Sequence, residues 1–137
     1  MHRKTEGAEM KNKIFLCIDF DGTIADKVGD NLILKDGAKQ ALQRFKAANC
    51  YILIDSSRAN PYRKLPGTVE RSLNEMQKFL DSNEIPYDAI NGISFPAQAR
   101  PIADFYIADN NITMTNWKDV VTSIIGSEIA FEDKKDQ

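Results

Sequence analysis

Two short, unbroken apolar runs stand out along the chain, Ile14 to Ile18 and Tyr51 to Ile54, and each stops at polar residues: Asp19 after the first, Asp55-Ser56-Ser57 after the second. A third run, Phe105 to Ala108, is closed by Asp109-Asn110-Asn111, and Tyr87 to Ile90 carries a weaker pattern of the same kind behind Pro86. Runs of this length suit strands buried on both faces, as in a parallel sheet. Between them the apolar spacing is helical. Asp36-Gly37 opens a stripe of Ala38, Ala41, Leu42, Phe45 and Ala48, and Thr68 caps a second stripe of Val69, Leu73, Met76, Phe79 and Leu80. A last helix is predicted over Trp117 to Ile125, and Pro61 to Gly67 is a loop with two prolines and the bases Arg63 and Lys64. Strands alternating with helices imply right-handed crossovers, a central parallel sheet and helices on both faces, which is a three-layer, Rossmann-like α/β fold. Ligands in such folds bind beyond the carboxyl ends of the strands, where Asp19, Ser56 and Asp109 are all predicted to lie.

The remaining organisation is brief. Residues 1–12 read as a flexible extension, with Met10 as an alternative start; 13–127 form the domain; and 128–137 are a polar tail. A chain of 137 residues has the length of one domain, and its 42% apolar and 28% charged residues are those of a globular protein. Lysine and arginine total 18 against 20 acids, a net charge of -2, which gives no electrostatic case for a general nucleic-acid binder or a membrane-surface protein. No apolar stretch approaches the ~20 residues needed to span a bilayer. Met1 to Lys13 lacks the apolar centre of a secretory signal, so a reduced cytoplasm is the expected compartment. In it, Cys17 and Cys50 serve as small core residues.

The candidate chemistry sits directly after the first strand, in Asp19-Phe20-Asp21-Gly22-Thr23. One carboxylate can attack phosphorus and form an aspartyl-phosphate, while the second protonates the leaving oxygen and later helps water attack. Gly22 permits the sharp turn that brings both acids to one pocket. Two anions beside a phosphate require a hard cation, and Mg2+ suits an oxygen-rich site of this kind. The plainer alternative is an Asp-rich turn that only terminates the strand.

The stretch Asp19 to Thr23 resembles the first signature of haloacid dehalogenase-superfamily phosphatases, and later segments follow that family's order of motifs. The resemblance implies a nucleophile and magnesium ligand at Asp19, and a general acid/base at Asp21 that also gives its backbone carbonyl to the metal. It implies that the Ser56 hydroxyl binds the phosphoryl group and that Asp109 is a further metal ligand. Gly22, Thr23, Ser57 and Arg58 join Ser56 as phosphate-binding positions, since Ser56-Ser57-Arg58 resembles the Ser-x-Arg form of some branches, including the phosphatase half of polynucleotide kinase-phosphatases. The segment from Arg100 to Asp109 is similar to a family stretch that reads Lys-Pro-Ile-Ala-Asp, an apolar pair, then Ile-Asp-Asp. Arg100 therefore stands at a catalytic and phosphate-binding lysine position, and Ala108 replaces the first acid of the closing pair.

Only Ile24 to Leu34 separates the first motif from the next helix, so the resemblance implies a capless member with an open site. Such a site admits large substrates or takes a neighbouring copy, in a homo-oligomer, to close it. The leading expectation is a magnesium-dependent phosphomonoesterase acting on a sugar phosphate, nucleotide or similar metabolite. A catalytically silent binding or regulatory protein is the alternative suggested by Ala108 and Arg100. A phosphatase acting on nucleic-acid ends is a third, suggested by Ser56-Ser57-Arg58 and the basic loop.

Overall fold

In a computed structural model of the chain, residues 13–60, 68–108 and 117–126 are described. Strand β1 (Phe15–Asp19) leads into a hairpin of β2 (Ala25–Val28) and β3 (Asn31–Leu34), followed by helix α1 (Ala38–Ala47) and strand β4 (Tyr51–Asp55). A short 3-10 turn (Ser57–Ala59), helix α2 (Thr68–Ser82), strands β5 (Ala89–Ile90) and β6 (Phe105–Ile107) and helix α3 (Trp117–Ile125) complete the order.

The four long-range strands form one sheet in the order β5-β4-β1-β6, parallel throughout. This is a three-layer, Rossmann-like α/β arrangement around a central parallel sheet. The pairing register sets the faces, because side chains alternate along a strand. Leu16 and Ile18 pair with Ile52 and Ile54, Ile54 with Ile90, and Ile18 with Ile107. These residues form one core with Leu42 and Phe45 of α1, Leu73, Met76 and Leu80 of α2, and Trp117, Val120 and Val121 of α3. Fully buried members such as Phe20, Phe45 and Leu42 each stabilise the fold by about 1.5–3 kcal/mol. The opposite face carries Cys17, Leu53 and Ala89, packed with Tyr51, Phe95, Ala103 and Tyr106.

On that second face the irregular segment 91–104 packs on the strands through Phe95 and Ala103, while the buried side chains of α1, α2 and α3 join the first core. The topology explains the path. Moving from β1 to β4 to β5 proceeds in one direction along the sheet, and β6 then returns to the far side of β1. A right-handed return must pass over the opposite face. The reversal also creates a switch point between β1 and β6, beyond the tips of which ligands bind in open α/β sheets.

Three boundaries differ from those predicted. The stretch Ile24 to Leu34 contains a hairpin whose turn, Gly29-Asp30, has Gly29 at φ 63. Strand β5 is Ala89–Ile90 rather than Tyr87 to Ile90, although Asp88 N–H still donates to the Ile52 carbonyl at 2.9 Å. Strand β6 ends at Ile107, one residue short of Ala108. Both cysteines are buried and free. Among the described residues no helix is long and apolar enough to cross a membrane. The expected extension at 1–12, the basic loop at 61–67 and the tail at 128–137 lie outside the described residues.

Candidate active site at the strand tips

The turn after β1 is fixed by its own backbone. The Phe20 carbonyl accepts from the amides of Thr23 at 3.1 Å, Ile24 at 2.9 Å and Ala25 at 3.2 Å, and Gly22 N–H donates to the Ala25 carbonyl at 2.8 Å. Gly22 sits at φ 82, in the left-handed region that glycine enters without a Cβ penalty. Phe20 itself is fully buried, edge-on to Phe79 of α2, so the residue between the two acids anchors the turn in the core. Two further groups staple it from outside: Lys35 Nζ donates to the Gly22 carbonyl at 2.7 Å, and Trp117 Nε1 to the Thr23 carbonyl at 3.2 Å.

Asp19 ends β1 in register with Asp55 at the end of β4. Its carboxylate accepts from the Thr23 hydroxyl at 3.5 Å. Burial, reinforced by the neighbouring charges of Asp21 and Asp55, pushes its pKa up to about 6, against the lowering effect of the Phe20 amide and the Thr23 hydroxyl. An acid that loses water and gains two anionic neighbours is a natural place for a cation.

Asp21 has a different environment. Arg58 grips it with a two-pronged fork, Nε to Oδ2 at 2.8 Å and Nη2 to Oδ1 at 2.9 Å, and the Ser56 hydroxyl donates to Oδ2 at 3.3 Å. Ser56 is buried, and its Oγ also accepts from the Arg58 amide at 3.1 Å, capping the 3-10 turn. Arg58 is only 5% exposed. Its third nitrogen, Nη1, donates to Glu75 Oε1 at 2.6 Å and to the carbonyl and hydroxyl of Ser72 at 2.9 and 3.1 Å. The Phe20 ring lies 5.4 Å from the guanidinium. The hydrogen bond to Asp21 leads the effects that raise the Arg58 pKa, and the bond from Arg58 holds Glu75 below the usual carboxylate range.

The structure thus brings together Asp19, Asp21, Gly22, Thr23, Ser56 and Arg58. Two expected phosphate-binding residues have other neighbours. Arg58 was expected to hold phosphate, yet each of its three nitrogens is engaged by Asp21, Ser72 or Glu75. A buried guanidinium between two carboxylates has the stronger claim on them. Arg100 was expected to face the phosphate as well. It lies exposed with its guanidinium 4.6 Å from the Tyr106 ring, on the second face of the sheet, and makes no hydrogen bond or ion pair among the described residues. Ser57 is exposed on the 3-10 turn. Ala108 is described and half-buried just beyond β6, whereas Asp109 lies outside the described residues.

Sequence reasoning missed Asp55, Asn91, Glu75 and Lys35. Asn91 is 1% exposed; its Nδ2 donates to Asp55 Oδ1 and to the Gln98 carbonyl, both at 2.9 Å, and its Oδ1 accepts from the Gln98 amide at 2.9 Å. It therefore ties the segment crossing the second face to the acid beside Asp19. The signal for Asp55 was its place at the end of an apolar run, the same signal that singled out Asp19.

No protein-family model matches the chain, and no curated protein matches it. Solved structures do. The chain is similar to a conserved protein from Bacteroides thetaiotaomicron, at 18% identity and a TM-score of 0.59, over 82% of this chain and 90% of that one. It is also similar to a structural-genomics target from Vibrio cholerae, at 18% identity and a TM-score of 0.51, over 84% of this chain and 98% of that one. At this identity the likeness is one of fold. Both neighbours are matched along most of their length.

Proposed function

We propose that the chain is a magnesium-dependent phosphatase of the haloacid dehalogenase type, hydrolysing a phosphate monoester of a small metabolite such as a sugar phosphate or nucleotide in a reduced, cytoplasmic compartment. One observation carries this reading. Asp19 and Asp21 flank a tight turn at the carboxyl edge of a parallel sheet, beside its switch point, with the Ser56 hydroxyl delivered from the neighbouring strand.

In this reading an Asp19 oxygen attacks phosphorus and the bond from phosphorus to the leaving oxygen breaks. The leaving oxygen takes a proton from Asp21. Water then attacks phosphorus, giving a proton to Asp21; the bond from phosphorus to the Asp19 oxygen breaks, inorganic phosphate departs and the Asp19 carboxylate is regenerated. The described donors near the turn are oxygens, and the crowding of acids about Asp19 fits a hard divalent cation. Among the described residues no cluster of three or more acids, cysteines or histidines is arranged for a metal. The Asp19 carboxylate and the Asp21 carbonyl would hold magnesium, with Asp109 as the expected third ligand. When bound, the cation neutralises the phosphoryl oxygens.

The test is phosphate release from a panel of phosphomonoesters with magnesium and with EDTA. Release should require the metal, and Asp19→Asn should lower it by ~10³-fold or more, as loss of a nucleophile does. No release from any substrate, together with no magnesium binding, refutes the proposal. A catalytically silent binding protein is the second reading, favoured by the apolar Ala108 at the tip of β6. Magnesium with a metal fluoride separates the two: an ordered mimic at Asp19 supports the enzyme, and failure to bind it supports the silent fold.

A further inference from the structure

The most heavily bonded side chain near the turn is Arg58: its three nitrogens donate to Asp21, Glu75 and Ser72, which leaves a second Nη2 hydrogen over among the described residues. A carboxylate offers about four acceptor sites, two on each oxygen. For Asp21, Arg58 Nε and Ser56 Oγ both donate to Oδ2, and Arg58 Nη2 donates to Oδ1. Three sites are filled, and the one left open is on Oδ1. The arrangement is not free to rotate. The guanidinium is planar and buried, its Nη1 is pinned to α2 through Glu75 and Ser72, and Phe20 lies against it. The Ser56 hydroxyl is equally constrained. Its oxygen accepts from the Arg58 amide, so its proton is directed to Asp21.

We propose that Glu75 and Ser72, acting through Arg58, form a positioning unit that leaves Oδ1 of Asp21 as the oxygen exchanging a proton with the leaving group. This rests on the phosphatase reading and deepens it. It assigns work to helix α2, which no motif marks. Arg58 is a positioning residue in this account, since it touches Asp21 and not the phosphoryl group.

The inference separates from phosphate binding by leaving group. A misplaced Asp21 harms the first step, departure of the leaving oxygen, only where that oxygen needs a proton. An alkyl phosphate such as glycerol phosphate has such a leaving group, and p-nitrophenyl phosphate does not. Water attack on the aspartyl-phosphate uses Asp21 whatever the substrate, so the first step is read alone, as the single-turnover rate of leaving-group release. The wild type, Arg58→Ala, Arg58→Lys and Glu75→Gln are compared on both substrates with magnesium present, and folding is checked by circular dichroism. General acid–base catalysis contributes ~10²–10⁴-fold, so Arg58→Ala should lower the single-turnover rate on the alkyl phosphate by about 100-fold. On p-nitrophenyl phosphate it should change that rate by less than about fivefold, with the inhibition constant of inorganic phosphate nearly constant. Arg58→Lys should resemble the alanine variant, because a point charge cannot make the two-pronged contact. Glu75→Gln should shift the ratio of the two single-turnover rates in the same direction but less, as Ser72 still holds Nη1.

Equal single-turnover losses on both substrates, or a rise in the inhibition constant of inorganic phosphate, would place Arg58 on the phosphoryl group and overturn the inference. If Arg58→Ala does not fold, Glu75→Gln decides alone: an unchanged ratio of single-turnover rates overturns the inference and a shifted one supports it. A wild type that releases phosphate from no phosphomonoester and binds no magnesium overturns the phosphatase reading and the inference with it. Turnover without the leaving-group effect overturns the inference only.

Discussion

Asn91→Asp is the most informative single substitution away from the two acids. The Gln98 amide can only donate, so it fixes Oδ1 of Asn91 at one end and turns Nδ2 toward Asp55 Oδ1, 2.9 Å away. Aspartate has the same shape, but an oxygen replaces that nitrogen. The variant loses a hydrogen bond to a charged group, about 1.5–3 kcal/mol. It also sets two carboxylates against each other, which costs about 4 kcal/mol at an effective dielectric near 20. Relaxation will absorb part of this, and we expect a loss of about 4–6 kcal/mol at pH 8. Facing carboxylates relieve their repulsion by sharing a proton, so the pair titrates at a higher pH in the folded chain than in the unfolded one. The folded state then binds more protons than the unfolded state, and stability falls as pH rises. At pH 5 the loss should shrink to about 2 kcal/mol. Urea denaturation followed by circular dichroism at both pH values measures it, each against the wild type at the same pH. Asn91→Ala, which adds no charge, should lose about 2–3 kcal/mol at either pH. A typical domain has only ~5–15 kcal/mol in hand, so Asn91→Asp should be close to unfolding at pH 8. Equal deficits for Asn91→Asp at the two pH values, or a smaller loss than Asn91→Ala at pH 8, would refute the buried Asn91–Asp55 contact.

Two other outcomes are expected. Burial, with the charges of Asp55 and Asp19, pushes the Cys17 thiol up to about 12, and the thiolate is the reactive form. Iodoacetamide at pH 8 should therefore label Cys17 in the native protein far more slowly than in urea, by ~100-fold or more, as read by mass spectrometry; rapid native labelling would contradict the burial. Ala108→Asp restores an acid at the tip of β6 and should raise magnesium-dependent turnover by ~10–100-fold. An unchanged rate would show that the reaction makes no use of that position.

What could be read in advance follows the strength of the apolar signal. Strands β1 and β4 are buried on both faces and gave unbroken runs, so their ends were placed within a residue. The stripes of α1 and α2 face one core and were equally clear. The hairpin was missed because its strands are mostly solvated: Asp26, Lys27 and Val28 are exposed, and β3 alternates weakly. Its one cue was Gly29-Asp30, a two-residue turn pair. The segment over the second face gave no periodic signal, as it forms no helix. The site was half legible for a related reason. Acids at strand tips announce themselves, but whether an arginine binds substrate or another side chain is decided by partners distant in sequence. Ser72 and Glu75 lie 14 and 17 residues beyond Arg58, on a helix whose pattern showed only its buried face. The motif position of Arg100 likewise says nothing about Tyr106, on which it rests.

The late arrival of β6 has a consequence for how the chain is made. Strand β1 borders β4, which follows it closely, and β6, whose preceding residue Asp104 bonds Phe15 across a separation of 89 residues. Contacts closed over so long an interval form slowly. While the polypeptide grows from its amino end, β1, β4 and β5 can associate, but one flank of β1 stays bare until Phe105 to Ile107 has been synthesised. An unpaired strand flank is a template for another chain. Products that stop short of Phe105 would therefore expose Leu16, Cys17 and Ile18 to self-association.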